Sequence, residues 1–271
     1  METTSQVMER LNRRAWSGSE AVRWYANAEG FLDPGEQAAF KRLTPDARDN
    51  PVLDLGIGGG RTTAQFLPLT RDYIGIDYTP AMVETCKRKF EGVRFEHADA
   101  RDLSRFPAAS FQLVVFSYNG IDAVDLEGRQ QVLAEAWRVL RPGGAFFFST
   151  FNRQGPDFEA GLKLSRGIEF TWNPIKLAAR TARFVVSNTV SLARQAINRR
   201  HEQHEAGHDI LMHSAHDGIM VYATTSNELE QQLAAAGFVG QAEVLGSKRG
   251  ELLTGTFAKE EYVHVIARKA A

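Results

Sequence analysis

The sequence predicts an α/β fold: a mostly parallel sheet covered by helices on both faces. Short apolar runs bounded by turn or charged residues recur along the first half of the chain, and segments with helical spacing separate them. The first run ends in a cluster of glycines that leads straight into a helix, the usual arrangement at a ligand-binding strand end. Strand and helix alternating in this way call for right-handed crossovers, and they place function at the C-terminal ends of the strands.

Taken in order, Ser19–Arg42 has a helical pattern broken near Gly30, and Asp33-Pro34-Gly35-Glu36 reads as an N-cap, a proline at the first helical position and an acid in the first turn. Val52–Leu55 is the first strand, followed by Tyr73–Ile76, Val93–Phe95, Leu113–Phe116 and Ala145–Ser149. Thr79 and Pro80 open a helix with Val83, Cys86 and Phe90 on one face, closed by Gly92. Another helix carries Leu133, Ala136 and Leu140, and Arg141-Pro142-Gly143-Gly144 stops it. After Phe151 the alternation is suspended until the helix Ser226–Ala236, and Tyr262–Ala267 is the last strand. The expected organisation is an N-terminal helical cap over 1–45, a core over 46–151, a helical lid insertion over Asn152–Val221, and the rest of the core over 222–271.

With 271 residues, 43% of them hydrophobic, the chain can bury one sizeable core. A formal net charge of -1 gives no general attraction for nucleic acid or anionic membranes. A single cysteine, Cys86, excludes an intramolecular disulfide, and the polar Met1–Ser19 stretch is unlike a signal peptide, so the cytoplasm is the expected compartment. Nothing in the chain is apolar for long enough to span a bilayer. His201, His204, His208, His213 and His216 crowd together, but their spacing matches no metal-binding helix, and no metal is expected.

The sharpest signal is Asp54-Leu55-Gly56-Ile57-Gly58-Gly59-Gly60-Arg61, where glycines let the backbone approach a ligand and helix N–H groups point toward it. The spacing is G-x-G-x-G; a dinucleotide fingerprint would need a glycine where Arg61 stands, and no Tyr-x-x-x-Lys follows, which argues against a nicotinamide oxidoreductase. Asp77 closes the second strand, where an acid can accept from both hydroxyls of a ribose. Asp99 follows the third strand, placed to accept from an adenine amino group.

These markers, with Arg141-Pro142-Gly143-Gly144 before the fifth strand, make the chain resemble the class I S-adenosylmethionine (SAM)-dependent methyltransferases, of the bacterial small-molecule type. The resemblance runs from about Val52 to Phe151 and from Tyr222 to the end. It implies a Rossmann-like, seven-stranded, mostly parallel sheet whose last strand runs antiparallel. It implies SAM as cofactor, held by Tyr25, Asp54, Gly56, Gly58, Gly60, Asp77, Tyr78, Asp99, Ala100 and Ser117. Ile57 is branched where relatives often have a small residue, a departure that would crowd the loop. The Asn/Asp-Pro-Pro-Tyr tetrad of enzymes that methylate DNA amines is missing, and Asn119-Gly120-Ile121-Asp122 stands in its place, so DNA is not the expected partner.

The activity so implied is transfer of a methyl group by in-line displacement to N or O of a small-molecule acceptor. Alignment supplies much of the rate of such a reaction, about 7–11 kcal/mol for well-oriented reactants. Asn119 and His216 are the candidate catalytic residues, with His216 able to take a proton near neutrality from its unperturbed pKa of about 6.5. Asn152 and Tyr222 are the candidate substrate contacts. Arg61 has two readings, a ligand of the methionine carboxylate and a solvated helix-face residue. Two other functions stay open. One is a catalytically inactive SAM-binding or scaffold protein. The other is an RNA-directed methyltransferase or a membrane-surface role using Phe170–His201, which holds Lys176, Arg180, Arg183, Arg194, Arg199 and Arg200 and no acid and also reads as a lid helix with a solvated basic face. A homodimer is left open as the assembly.

Overall fold

The apolar runs of the sequence form the centre of one sheet. Among the described residues its ten strands are Val52–Leu55 (β1), Tyr73–Asp77 (β2), Arg94–His97 (β3), Phe111–Phe116 (β4), Leu140–Asn152 (β5), Gln203–His204 (β6), His208–His213 (β7), Ile219–Thr224 (β8), Glu243–Gly246 (β9) and Tyr262–Arg268 (β10). The helices are Thr4–Trp16 (α1), Ser19–Asn27 (α2), Pro34–Ala47 (α3), Thr63–Phe66 (α4), Pro80–Lys89 (α5), Leu126–Val139 (α6), Pro174–Asn198 (α7) and Ser226–Ala235 (α8). This computed structural model describes residues 2–27, 30–155, 164, 167, 170–213, 218–255 and 260–271.

Strands β3, β2, β1, β4 and β5 lie side by side and parallel. Antiparallel to β5 runs β10, and β9 pairs antiparallel with the far side of β10, which completes the expected seven-stranded core with its reversed last strand. Alternate residues feed two cores: Leu113, Val115 and Phe147 meet α3 and α5 on one face, and Val114, Phe116, Phe146 and Phe148 meet α6 and α8 on the other. Both faces being covered explains why these strands read as unbroken apolar runs. Arg141–Gly144 bulge out between the pairs Phe111↔Leu140 and Leu113↔Ala145, so the tetrad lies within the start of β5.

The insertion is not purely helical, contrary to expectation. Within Asn152–Val221 lie β6, β7 and most of β8, and they extend the same sheet: the last two residues of β5 pair with β8 at Phe151↔Ala223 and Asn152↔Thr224, and β7 and β6 follow antiparallel. One face of this extension is covered by α1, whose Val7, Met8 and Leu11 pack on Ile210, Met212, Met220 and Tyr222 in a third core. Asn12, fully buried, fixes the contact: its Nδ2 donates to Ala123 O (2.9 Å) and Met220 O (2.8 Å), and its Oδ1 accepts from Met220 N (2.9 Å).

Candidate active site

At the C-terminal end of β1 the chain turns through Gly56, Gly58 and Gly60, all in the left-handed region at φ 62°, 53° and 83°. This conformation costs side-chain-bearing residues energy and glycine almost none. Room matters as much as φ: a Cβ on Gly59, which has no such φ, would come within 2.3 Å of Tyr25 O, so the loop and α2 touch backbone to backbone. Ile57 does not crowd the loop, because its side chain packs into the core over Gly75 of β2.

Asp77 ends β2 and clips the loop in place, its two oxygens accepting from Gly58 N (2.9 Å) and Thr79 N (2.7 Å). Burial holds its carboxyl above the usual range, and those two backbone N–H groups pull the other way. A cleft opens beside it, lined by Tyr25, Gly56, Gly58, Asp77, Tyr78, Asp99, Ala100, Ser117 and Asn119 from the sequence-derived list. Asp99 also meets Arg101, which reaches both of its oxygens at 3.0 and 2.7 Å. Tyr78 is capped by the edge of Trp16 at 5.9 Å and by Arg13 at 5.0 Å, and its buried hydroxyl has no partner among the described residues.

Two of the residues expected to hold the cofactor, Asp54 and Gly60, stand behind the wall. Asp54 is buried, with Oδ2 accepting from Thr62 Oγ1 (2.6 Å) and Tyr73 OH (2.7 Å), and Gly60 backs onto the Phe90 ring. Arg61 matches neither of its two readings. It forms a buried two-point ion pair with Glu36 of α3 (2.6 and 2.7 Å), donates to Phe31 O and Ser117 Oγ, and lies 5.0 Å over Tyr118. This pair locks the end of β4 to the N-terminal cap.

Tyr118 and Asn119 are consecutive left-handed residues at φ 57° and 56°. Such backbone is held only where its surroundings over-determine it; here Asn119 N donates to Ser149 Oγ at 2.7 Å. The Asn119 Oδ1 is buried with no hydrogen-bond partner among the described residues.

The two proposed substrate contacts are corrected. Asn152 is fully buried off the cleft, its Nδ2 donating to Glu260 O (2.8 Å) and its Oδ1 accepting from Gln154 N (3.0 Å), so it ties β5 to the segment entering β10. Tyr222 is fully buried, stacked on His208 at 4.7 Å, lying 4.4 Å under the Arg129 guanidinium, and accepting from Gln232 Nε2 (2.8 Å). It faces α1 and α6, because β8 belongs to the sheet. His216 lies outside the described residues. Of the other histidines, His204 pairs with Asp209 and His213 leans on Phe151.

Sequence reasoning missed the far wall of the cleft, which α1 supplies through Ser5, Met8, Glu9, Asn12 and Trp16, and α6 and the turn before it through Asp125, Glu127 and Gln131. A usable signal was present: Thr3 and Gln6 form a capping box at the head of α1, just before its apolar face.

Residues 52–144 match a family model described as a methyltransferase domain. The matched stretch runs from β1 into the start of β5 and is similar in sequence to that domain. A probable SAM-dependent methyltransferase of Mycolicibacterium smegmatis is 32% identical over 46% of this chain and 47% of its own length. An uncharacterized methyltransferase of Bacillus subtilis is 32% identical over 47% of this chain and 51% of its own. The chain thus spans about half the length of these curated relatives. Among solved structures, the fold is similar to a Burkholderia thailandensis 1,6-didemethyltoxoflavin-N1-methyltransferase with bound 1,6-didemethyltoxoflavin and S-adenosylhomocysteine. The TM-score is 0.55 and the identity 18%, over 98% of this chain and 88% of that one.

Proposed function

We propose that the whole protein is a methyltransferase that moves the methyl group of SAM to N or O of a small-molecule acceptor held in the same cleft. The observation that carries this reading is the left-handed glycine turn under Tyr25 with the Asp77 carboxylate clipped to its middle. SAM, when bound, supplies an activated methyl on a cationic sulfonium with a neutral thioether as leaving group. The cleft suits such a group: Gly56 and Gly58 bring backbone into its wall, and Glu9, Asp77, Asp99, Asp125 and Glu127 put carboxylates there against a single cation among the described residues, Arg101, which pairs with Asp99 and Glu9.

In this reading Asp77 accepts the ribose hydroxyls, Asp99 and Ala100 border the adenine, and Asn119 Oδ1 receives an N–H or O–H donor next to the reacting centre. The acceptor is oriented, water is displaced, and proximity supplies most of the rate. His216 is carried as the group that takes a proton where the acceptor loses one. Of residues 152–221, those outside β6, β7 and β8, which belong to the sheet, and outside the outward face of α7 are carried as the cover of the cleft.

Calorimetric titration with S-adenosylhomocysteine and with NAD is the first test. Binding of S-adenosylhomocysteine without NAD binding is expected, and preference for NAD would end the reading. Asp77→Asn is expected to weaken S-adenosylhomocysteine by about 1–3 kcal/mol through loss of charge-assisted hydrogen bonds. Unchanged affinity in a folded variant would show that the ribose lies elsewhere. Labelled SAM with a panel of phenols, amines and heterocycles, read by mass spectrometry, then identifies the acceptor.

A further inference from the structure

Over its second half α7 turns polar side chains inward, whereas Leu177 and Phe184, in the same inner row nearer its start, are half-buried. Its buried side chains are polar: Asn188, Ser191, Gln195 and Asn198, with Gln195 donating to Ser191 Oγ, and Asn188 and Asn198 donating to carbonyls of their own helix. Its outward face carries an apolar row at positions 175, 179, 182, 186, 190, 193 and 197, spaced three and four apart, and every residue in the row is exposed. Ile175 is 80% exposed, Val186 64%, Val190 48% and Ile197 60%, and alanines fill the intervening places. At 1.5 Å per residue the row runs for about 35 Å. A helix shaped only by the hydrophobic effect would turn this row inward; an exposed row of this length marks a surface that meets something apolar.

Charge identifies the partner. The next row round the helix holds Lys176, Arg180, Arg183 and Arg194, with Arg199 and Arg200 beyond its end, and no acidic residue occurs from Phe170 to His201. Arg183 also reaches Glu20 of α2 at 2.9 Å, which ties α7 to the helix that carries Tyr25. Phe170 and Trp172, 66% and 91% exposed and edge to face at 5.0 Å, stand at the head of the helix. Two copies paired antiparallel through this face would set Lys176, Arg180 and Arg183 of one beside Arg194, Arg199 and Arg200 of the other, like charge against like. An apolar row flanked by cations, with aromatic side chains at one end, is the pattern of a helix lying in the plane of an anionic lipid surface. No described helix is long and apolar enough to cross a membrane, so the contact is one of lying on the surface.

We propose that α7 docks the protein on anionic lipid bilayers, its apolar row entering the boundary between headgroups and acyl chains and its cations meeting the phosphates. The cofactor cleft plays no part in this argument, so the proposal stands independently of the methyl acceptor.

The test is flotation of the full-length protein with phosphatidylcholine vesicles and with vesicles containing about a third phosphatidylglycerol, at low and high salt. Binding to the anionic vesicles alone, weakened by salt, is expected. The double variant Val186→Gln, Ile197→Gln leaves charge unchanged and replaces exposed side chains only, so its melting temperature and S-adenosylhomocysteine affinity are expected to stay at wild-type values. Its partition onto anionic vesicles is expected to fall about tenfold or more. The proposal is overturned if the anionic vesicles do not bind, or if they hold the double variant as well as wild type. It is equally overturned if sedimentation shows a dimer that the double variant dissolves, or if a structured RNA binds more tightly than vesicles and indifferently to the variant.

Discussion

At the scale of single residues, Asp54, like Asp122, is a group whose protonation bears on stability. It is buried under the glycine turn with Oδ1 unpartnered among the described residues, and burial pushes its carboxyl up to about 6 against the pull of Thr62 and Tyr73. The unfolded chain titrates this carboxyl near 3.9. Between those values the folded protein binds a proton that the unfolded chain has released, so this group's contribution to stability falls as pH rises through the window. From pH 4.5 to 6.5 the fall is about 2 kcal/mol. Asp54→Asn keeps an oxygen for Thr62 and Tyr73 without the charge, and its urea-unfolding free energy is expected to lack that fall relative to wild type. Parallel pH profiles would show that Asp54 stays ionised throughout. The sequence exposed Asp54, Asp77 and the glycines because each sits at a strand end in a fixed pattern. It misled at Asn152 and Tyr222, since a position next to a strand end does not say which side of the sheet a side chain takes. Arg61 was ambiguous because its partner Glu36 comes from another helix, 25 positions away.

At the scale of elements, the legible pieces were those with strong periodicity and clear punctuation. Asp33-Pro34 opens α3, with Asp33 accepting from Glu36 N at 2.9 Å, and Pro80 opens α5. The strands of the extension were hidden because β7 and β8 are buried nearly throughout and follow a long basic helix, so the change of period that announces a strand was masked. Short β9 has only Val244 and Leu245 to mark it. Helix α1 fell within the expected cap over 1–45 without being picked out, although its capping box and its Val7, Met8 and Leu11 face were both present. Its hold on the extension rests on Asn12. Asn12→Ala removes three hydrogen bonds and leaves the Met220 N–H and C=O in a buried strand without the side chain that met them. A loss of about 1–3 kcal/mol in urea unfolding is expected, whereas a loss below 0.5 kcal/mol, a rough figure for surface sites, would mean that water replaces the amide freely.

At the scale of the whole molecule, the extension is bound to the core more weakly by strand pairing than by side chains. Among the described residues, two residue pairs join β5 to β8. The remainder of the link is α1, shared by the β7–β8 hairpin and the cleft, together with a buried node: Asp122 pairs with Arg129 and accepts from Thr150 Oγ1 and Phe151 N at 2.7 Å each, and Arg129 lies over Tyr222. Such an arrangement makes one cooperative unit so long as α1 is present, and the cleft wall and the sheet extension then open together. Deleting residues 2–17 is expected to uncover Ile210, Met212 and Met220 and to uncouple the hairpin. Hydrogen exchange at the amides of β7 and β8 should quicken by about a hundredfold, as about 2.7 kcal/mol of local stability is lost, while those of β1 and β4 keep their protection. Loss of S-adenosylhomocysteine binding is expected in the same variant, because Met8, Glu9 and Trp16 leave the wall of the cleft. Equal acceleration across all four strands would show instead that α1 supports the entire sheet, and unchanged exchange in β7 and β8 would show that the hairpin needs only its contacts with β5, Arg129 and α7.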